Sequence, residues 1–283
     1  MNTFTFVSLS YNHQYFIIEH LESIKQLIVQ YGNKIEVDYI LADDCSTDKT
    51  LEIASNWLDN NRELFRHVLV LDKTQNVGVV RNMLDAVKHV KTKEFKFLAG
   101  DDKFRDKNIF SLYENMNNQL IITPVNPFGD IDEKIVKNTR TTFCLIYSLN
   151  TASKIRKMIK CENFLPAPGV FIPGDFFRDN KFQSFLLQFR NIDDYPMFYY
   201  FLNVKKCEVR VLDMYYVDYR VGSGISTSKD NKKRKVFCDE LKELHKIIDI
   251  KLYKYPKYLN PYKYYFKIAR AIAGIRYRGR YNL

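Results

Sequence analysis

Tyr39-Ile40-Leu41-Ala42-Asp43-Asp44-Cys45-Ser46-Thr47-Asp48-Lys49-Thr50 is an apolar run that ends abruptly in a carboxylate cluster. Acids placed where a strand stops matter, because in open α/β sheets ligands bind in the crevice beyond the carboxyl ends of the strands. The pattern occurs a second time, where Phe95-Lys96-Phe97-Leu98-Ala99-Gly100 leads into Asp101-Asp102. Two strand ends with paired aspartates point to one shared site. Asp, Ser and Thr after a strand are also ordinary turn and N-cap residues, and Ser46 or Thr47 is expected to cap the helix through Asn56-Trp57. Capping leaves both aspartate pairs unexplained, since adjacent carboxylates repel and a site that holds two of them usually holds a cation or donors as well.

Outward from these stretches, strands are expected at 4–9, 36–42, 67–71 and 95–98, with helices at 16–31, about 48–60 and 80–90. Strands alternating with helices indicate an α/β domain with a mostly parallel central sheet. The second half is less regular. Residues 120–124, 142–147 and 208–219 read as strands and 109–117 and 194–202 as helices, with a Pro/Gly-rich loop around Pro166, Pro168, Gly169, Pro173 and Gly174.

The chain of 283 residues is 46% hydrophobic, enough to fill a core. Its five widely spaced cysteines suggest neither a disulfide framework nor a zinc site. The N-terminus reads as a first strand and not as a signal peptide, and no run is long enough to span a membrane, so a cytoplasmic location is expected. The five histidines fall outside the site motifs and read as surface or packing residues. Of the net charge of +11, nine Lys and Arg residues lie from Lys251 onward with no acid, leaving +2 for the rest.

Taken in order, Val7-Ser8-Leu9-Ser10-Tyr11-Asn12, Asp43-Asp44-Cys45-Ser46-Thr47-Asp48, Asn76-Val77-Gly78 with Arg81-Asn82, Asp101-Asp102, Asp193-Asp194 and Tyr219-Arg220 resemble the family 2 glycosyltransferases. The resemblance implies a GT-A fold, a Rossmann-like nucleotide-binding domain over residues 1–228. Residues 1–103 would be the nucleotide-sugar half and 104–228 the acceptor half. It further implies that Ser10, Tyr11 and Asp44 lie around the base of a nucleotide-sugar donor, a UDP-hexose being the first expectation, and that Arg81 helps neutralise the diphosphate. Asp102, with Asp101 beside it, would hold Mn²⁺ or Mg²⁺, since carboxylates suit such cations. Asp194 would be the base that takes the acceptor's proton. Three departures stand out: Ser10 where proline is common, Asp193 where Glu is more usual, and Gly222 where a histidine often follows the Tyr-Arg pair.

The implied activity is inverting transfer of a sugar to a glycan or lipid-linked glycan hydroxyl in surface polysaccharide synthesis. A metal-dependent nucleotidyltransferase is the alternative, but it would not need Asp194. A nucleic-acid-binding protein is disfavoured because an acidic crevice repels a polyanion.

Residues 229–283 read as a basic helical tail. Phe237, Leu241, Leu244, Ile248 and Leu252 form one apolar stripe. After Asn260-Pro261, an N-cap and first-turn proline, a second helix gathers Tyr262, Tyr265, Phe266, Ala269, Ile272 and Ala273. Such a tail suits peripheral contact with an anionic membrane surface, or packing on the domain or in a homo-oligomer.

Overall fold

The computed structural model describes residues 2–222, 231–248 and 261–277. β1 (Thr3–Ser10), β2 (Glu36–Asp43), β3 (His67–Asp72) and β4 (Phe95–Ala99) form a parallel sheet in the order β3-β2-β1-β4. α1 (Ile17–Tyr31), α2 (Thr50–Asn60) and α3 (Val79–His89) connect them. Successive strand residues point to opposite faces. Phe4, Phe6, Val37, Tyr39 and Leu41 pack with Ile17, Leu21 and Trp57 of α1 and α2, while Val7, Ile40 and Ala42 pack with Val80, Met83 and Val87 of α3. Both faces are therefore covered, which is why these strands read as near-continuous apolar runs. The chain turns one way from β1 to β2 and returns past β1 to β4. The crevice at the carboxyl ends of β1 and β4 is thus the sheet's switch point, where α/β proteins bind ligands.

The second half contains β5 (Lys103–Phe104), α4 (Ile109–Glu114), β6 (Leu120–Ile122), β7 (Val125–Gly129), α5 (Glu133–Leu149), α6 (Ala152–Ile159) and β8 (Val170–Phe171). It continues with α7 (Gly174–Phe177), α8 (Asn180–Leu186), α9 (Asp194–Tyr199), β9 (Val209–Val211) and β10 (Val217–Val221). Two three-stranded sheets result, β5-β10-β7 and β8-β6-β9. Two expectations are corrected here. Residues 142–147 lie inside α5, whose start is capped by Asp132 accepting from the Ile135 N–H (2.7 Å). Phe143, Cys144, Leu145 and Ile146 are all buried, so the helix is apolar around most of its circumference and shows no 3.6-residue alternation there. Residues 208–219 are not one strand: β9 and β10 pair in different sheets and the intervening residues cross between them.

α10 (Asn231–Ile247) and α11 (Pro261–Arg276) belong to the body. Leu244, Ile248, Phe266 and Ala273 are buried in the same core as α3, and Phe237 and Leu241 pack against it. α11 lies on α5, with Tyr277 edge-on to Tyr147 (5.4 Å) and Phe266 against Phe164 (5.9 Å). The expected stripe of α10 is thus spent on intramolecular packing. The boundary at 228, Leu252 and the Asn260 cap lie outside the described residues. Among the described residues, no helix is long and apolar enough to cross a membrane.

Candidate active site

The ends of β1 and β2 are level, Ser10 opposite Asp43, and the loops that follow are knitted together. The Asn12 N–H donates to Ser46 Oγ (2.9 Å), Asn12 Oδ1 accepts from the Thr47 N–H (2.8 Å), and the His13 N–H donates to Thr50 Oγ1 (2.7 Å). Asp43 turns into this structure, accepting from the Ser10 hydroxyl (2.7 Å), the Ser46 hydroxyl (2.6 Å) and the Ser46 N–H (2.7 Å). Ser46 and Thr47 are therefore occupied, and neither caps α2. The N-cap position is Lys49, which makes no side-chain cap bond, and Asp48 just before it accepts from the Thr50 N–H (2.9 Å).

Asp44 clasps the neighbouring loop: Oδ1 accepts from the Val77 N–H (2.7 Å) and Oδ2 from the Gly78 N–H (2.9 Å). Gly78 has φ 87°, and a Cβ there would sit 2.4 Å from Arg190 Cγ and 2.8 Å from the Arg190 carbonyl oxygen. Only glycine meets both demands. Arg190 in turn donates to the Asn76 carbonyl (2.8 Å), so the 76–78 loop is held from both sides.

The Asp101-Asp102 turn rests on a buried polar chain. A carbonyl can only accept, so the 2.8 Å contact to the Asp102 oxygen makes His20 Nδ1 the donor. Nε2 must then accept from Ser8 Oγ (2.6 Å), which accepts from the Tyr39 hydroxyl (2.7 Å). Burial pushes His20 down to about 4, in keeping with a neutral ring. From the other side, Asp102 Oδ1 accepts from the Arg220 N–H (2.8 Å), and Arg220 Nε donates to the Asp101 carbonyl (3.0 Å). The Arg220 guanidinium sits between the rings of Phe16 (4.2 Å) and Phe128 (4.3 Å). Burial, and then the charge of Asp101, hold the Asp102 carboxyl well above the usual carboxylate range. Lys96, buried in β4 and donating to the Val170 carbonyl (2.8 Å), opposes that shift. Burial brings Lys96 itself down to about 7.

These strand ends open into a cavity of about 790 Å³, in the range that small-molecule sites occupy. Its lining includes Ser10, Tyr11, Asp44 and Asp102 together with Arg190, Asn191 and Asp193. Asp194 is not on the wall. Its Oδ2 accepts from Asn163 Nδ2 (2.8 Å) and its Oδ1 from the Tyr195 N–H (2.7 Å). Burial, and then the charge of Asp194, raise the Asp193 carboxyl, and burial raises Asp194 too. The segment before the pair is gathered by one side chain of α10. Glu240 accepts from the N–H groups of Arg190 (3.3 Å), Asn191 (2.8 Å) and Ile192 (3.1 Å) and from Asn191 Nδ2 (2.9 Å).

The structure thus brings together Ser10, Tyr11, Asp44, Asp101 and Asp102, but not Arg81, which is exposed on α3 and off the cavity wall. Its neighbour Asn82 lines the cavity instead, donating to the Ala42 carbonyl (2.8 Å) with a buried, unpartnered Oδ1. The wall's arginine is Arg190. His13 is also more than a packing residue: it lines the cavity with Nε2 4.0 Å from Asp101 Oδ1 and a buried Nδ1 that has no hydrogen-bond partner. Its position directly after Tyr11-Asn12 was the available signal. Glu240 had none, being one acid among many on a charged helix.

Among curated proteins, the chain is 31% identical over 100 residues to an uncharacterized protein of Mycobacterium tuberculosis, covering 35% of this chain and 27% of that one. It is 28% identical over 129 residues to a teichoic acid poly(glycerol phosphate) polymerase of Staphylococcus epidermidis, covering 45% and 17%. The chain thus spans about a quarter or less of the length of these relatives. Among solved structures, S. aureus TarS 1-349 in complex with UDP-GlcNAc superimposes with TM-score 0.55 at 17% identity, over 83% of this chain and 64% of that one. A longer TarS structure gives TM-score 0.53 at 15% identity, over 84% and 43%. These likenesses show the fold, GT-A. The sequence model described as "Glycosyl transferase family 2" matches residues 5–176, more than half of the chain, which therefore belongs to that family.

Proposed function

We propose that the chain transfers a sugar from a nucleotide-sugar donor, first of all a UDP-hexose, to a hydroxyl of a glycan or lipid-linked glycan in surface polysaccharide synthesis, with inversion. The observation that carries this is the cavity itself, whose lining includes Ser10, Tyr11 and Asp44, Asp102 of the aspartate turn, and Asp193 of the second carboxylate pair. The complexes of TarS with UDP-GlcNAc and with UDP support a uridine donor, and the teichoic acid relative supports a cell-surface polymer.

In this reading the base rests against Tyr11, the diphosphate points to Asp101-Asp102, and the acceptor hydroxyl meets the Asp193-Asp194 pair. A base takes the hydroxyl proton, the oxygen attacks the anomeric carbon, and the bond to the diphosphate oxygen breaks on the opposite side, giving inversion. Asp193 is the carboxylate on the wall, so we assign it the proton. Asp194, held by Asn163 and its own helix, tunes its neighbour by charge. A carboxyl raised toward the working pH is a better base than an ordinary one.

Among the described residues, no group of three or more His, Cys, Asp or Glu could hold a metal by itself. Asp101 and Asp102 still fit a Mn²⁺ or Mg²⁺ completed by the donor's phosphates and water, the usual way such cations are bound. When bound, the cation would stabilise charge on the departing diphosphate.

The test is hydrolysis and transfer over a panel of nucleotide sugars with Mn²⁺ or Mg²⁺, comparing Asp193→Asn and Asp194→Asn. Asp193→Asn is expected to bind donor normally and to lose ~10²–10⁴-fold in turnover. Full turnover in that variant with loss in Asp194→Asn would move the base to Asp194. Release of sugar 1-phosphate, from cleavage between the two phosphates, instead of nucleoside diphosphate would identify a nucleotidyltransferase.

A further inference from the structure

α11 has two apolar faces, where the sequence suggested one. Phe266, Ala269, Ala273 and Tyr277 face the body. Tyr265 and Ile272, expected on that same stripe, face outward at 60% exposure each, together with Tyr264 (52%), Ile268 (59%) and Ile275 (78%). At about 100° per residue these five fall within an arc of roughly 100°, a stripe roughly 16 Å long. Exposed Lys267 borders the arc on one side and exposed Arg276 on the other. Scattered exposed apolar residues need no explanation, but a continuous apolar stripe bordered by charge marks an interaction surface.

We propose that this outer face of α11 seats on an anionic lipid surface, with the isoleucines at the acyl boundary, the tyrosines at headgroup depth and Lys267 and Arg276 on lipid phosphates. Each residue type suits its depth. Charge decides between a bilayer and a second copy of the chain. From Lys251 to the C-terminus there are nine cations and no acid, so two such faces placed together would oppose cation to cation with no carboxylate to answer. An anionic bilayer satisfies the stripe and its borders together. The inference is independent of the reading of the cavity.

The test is cosedimentation of the full chain with phosphatidylglycerol/phosphatidylcholine vesicles and with phosphatidylcholine alone, at low and high salt, with light scattering on the protein by itself. Two variants are compared, Ile272→Asp/Ile275→Asp and Lys267→Glu/Arg276→Glu. All four positions are exposed, so circular dichroism and donor hydrolysis should be unchanged. The wild type should bind the anionic vesicles at low salt and release as salt rises, and each variant should bind at least about tenfold more weakly. Absence of binding to anionic vesicles at low salt overturns the proposal, as does binding that survives both variants. A wild-type dimer that the isoleucine variant converts to monomer would assign the face to self-association instead.

Discussion

Replacing Glu240 with alanine removes the acceptor for three consecutive backbone N–H groups and one side-chain amide. The two shorter backbone bonds, at 2.8 and 3.1 Å, are charge-assisted, and bonds of that kind contribute about 1.5–3 kcal/mol each. Glu240 is only half-buried, so water replaces part of what is lost and the net cost is about 2–4 kcal/mol. The functional consequence should be larger than the stability loss suggests. Residues 190–192 run directly into Asp193, and Arg190 also braces the Asn76–Gly78 loop, so both walls loosen together. A misplacement of roughly 1 Å in a reacting group costs on the order of 10²-fold in rate. Urea unfolding gives the first quantity, and kcat against donor KM in the folded variant gives the second. Glu240→Gln, which keeps one acceptor oxygen, should recover part of each. An alanine variant with stability within about 0.5 kcal/mol of wild type and unchanged kcat would show that α10 merely packs against the site.

Gly78→Ala should lose donor affinity and stability together, by about 1–3 kcal/mol in stability, because the backbone is at positive φ and Arg190 occupies the space a methyl needs; equilibrium denaturation and donor titration measure both, and a neutral result would mean the loop opens freely. His20 is neutral in the fold, so below pH 6.5 the unfolded chain binds the extra proton and stability falls as pH drops toward about 4, by roughly 3 kcal/mol over the window. His20→Gln should remove that slope in urea melts taken across the range, whereas an identical slope would place the titration elsewhere. The Asp193-Asp194 pair has the opposite stability sign. Its raised carboxyls bind protons in the folded state that the unfolded chain has released, so they favour the fold as pH falls into the window above the ordinary carboxylate value. Catalysis needs the ionised form, so kcat should fall on acidification from about pH 8 to about pH 5; a flat profile would remove the pair from the chemistry.

The strand ends were legible because their signal is local: an apolar run and the acids that stop it are adjacent in sequence, and the parallel sheet follows from their repetition. Asp44, Asp101 and Asp102 inherit that legibility. An arginine beside a loop motif says nothing about which side of a helix meets the cavity: Arg81 is exposed and Asn82 lines the cavity. Arg190 and Glu240 reach the site only through contacts between residues about 50 to 114 apart in sequence. No pattern within one segment could reveal them. Residues 142–147 of α5 hide their helical period for a related reason: with the body on one side and α11 on the other, apolar residues surround the helix. In α11 burial separates the two apolar faces and periodicity does not. Lys96, a lone cation inside an apolar strand, was visible in the sequence but acquires meaning only beside Asp102.

The central claim, that this cavity holds a nucleotide sugar, is tested most directly by isothermal titration of UDP, GDP and dTDP into the full chain with Mn²⁺ present, for wild type and Asp44→Ala. UDP should bind at one site and bind Asp44→Ala at least about tenfold more weakly, a difference of about 1.4 kcal/mol, because the variant releases the Val77–Gly78 amides along with the base-side carboxylate. No binding of any of the three nucleotides to the wild type, or equal binding to both proteins, would contradict it.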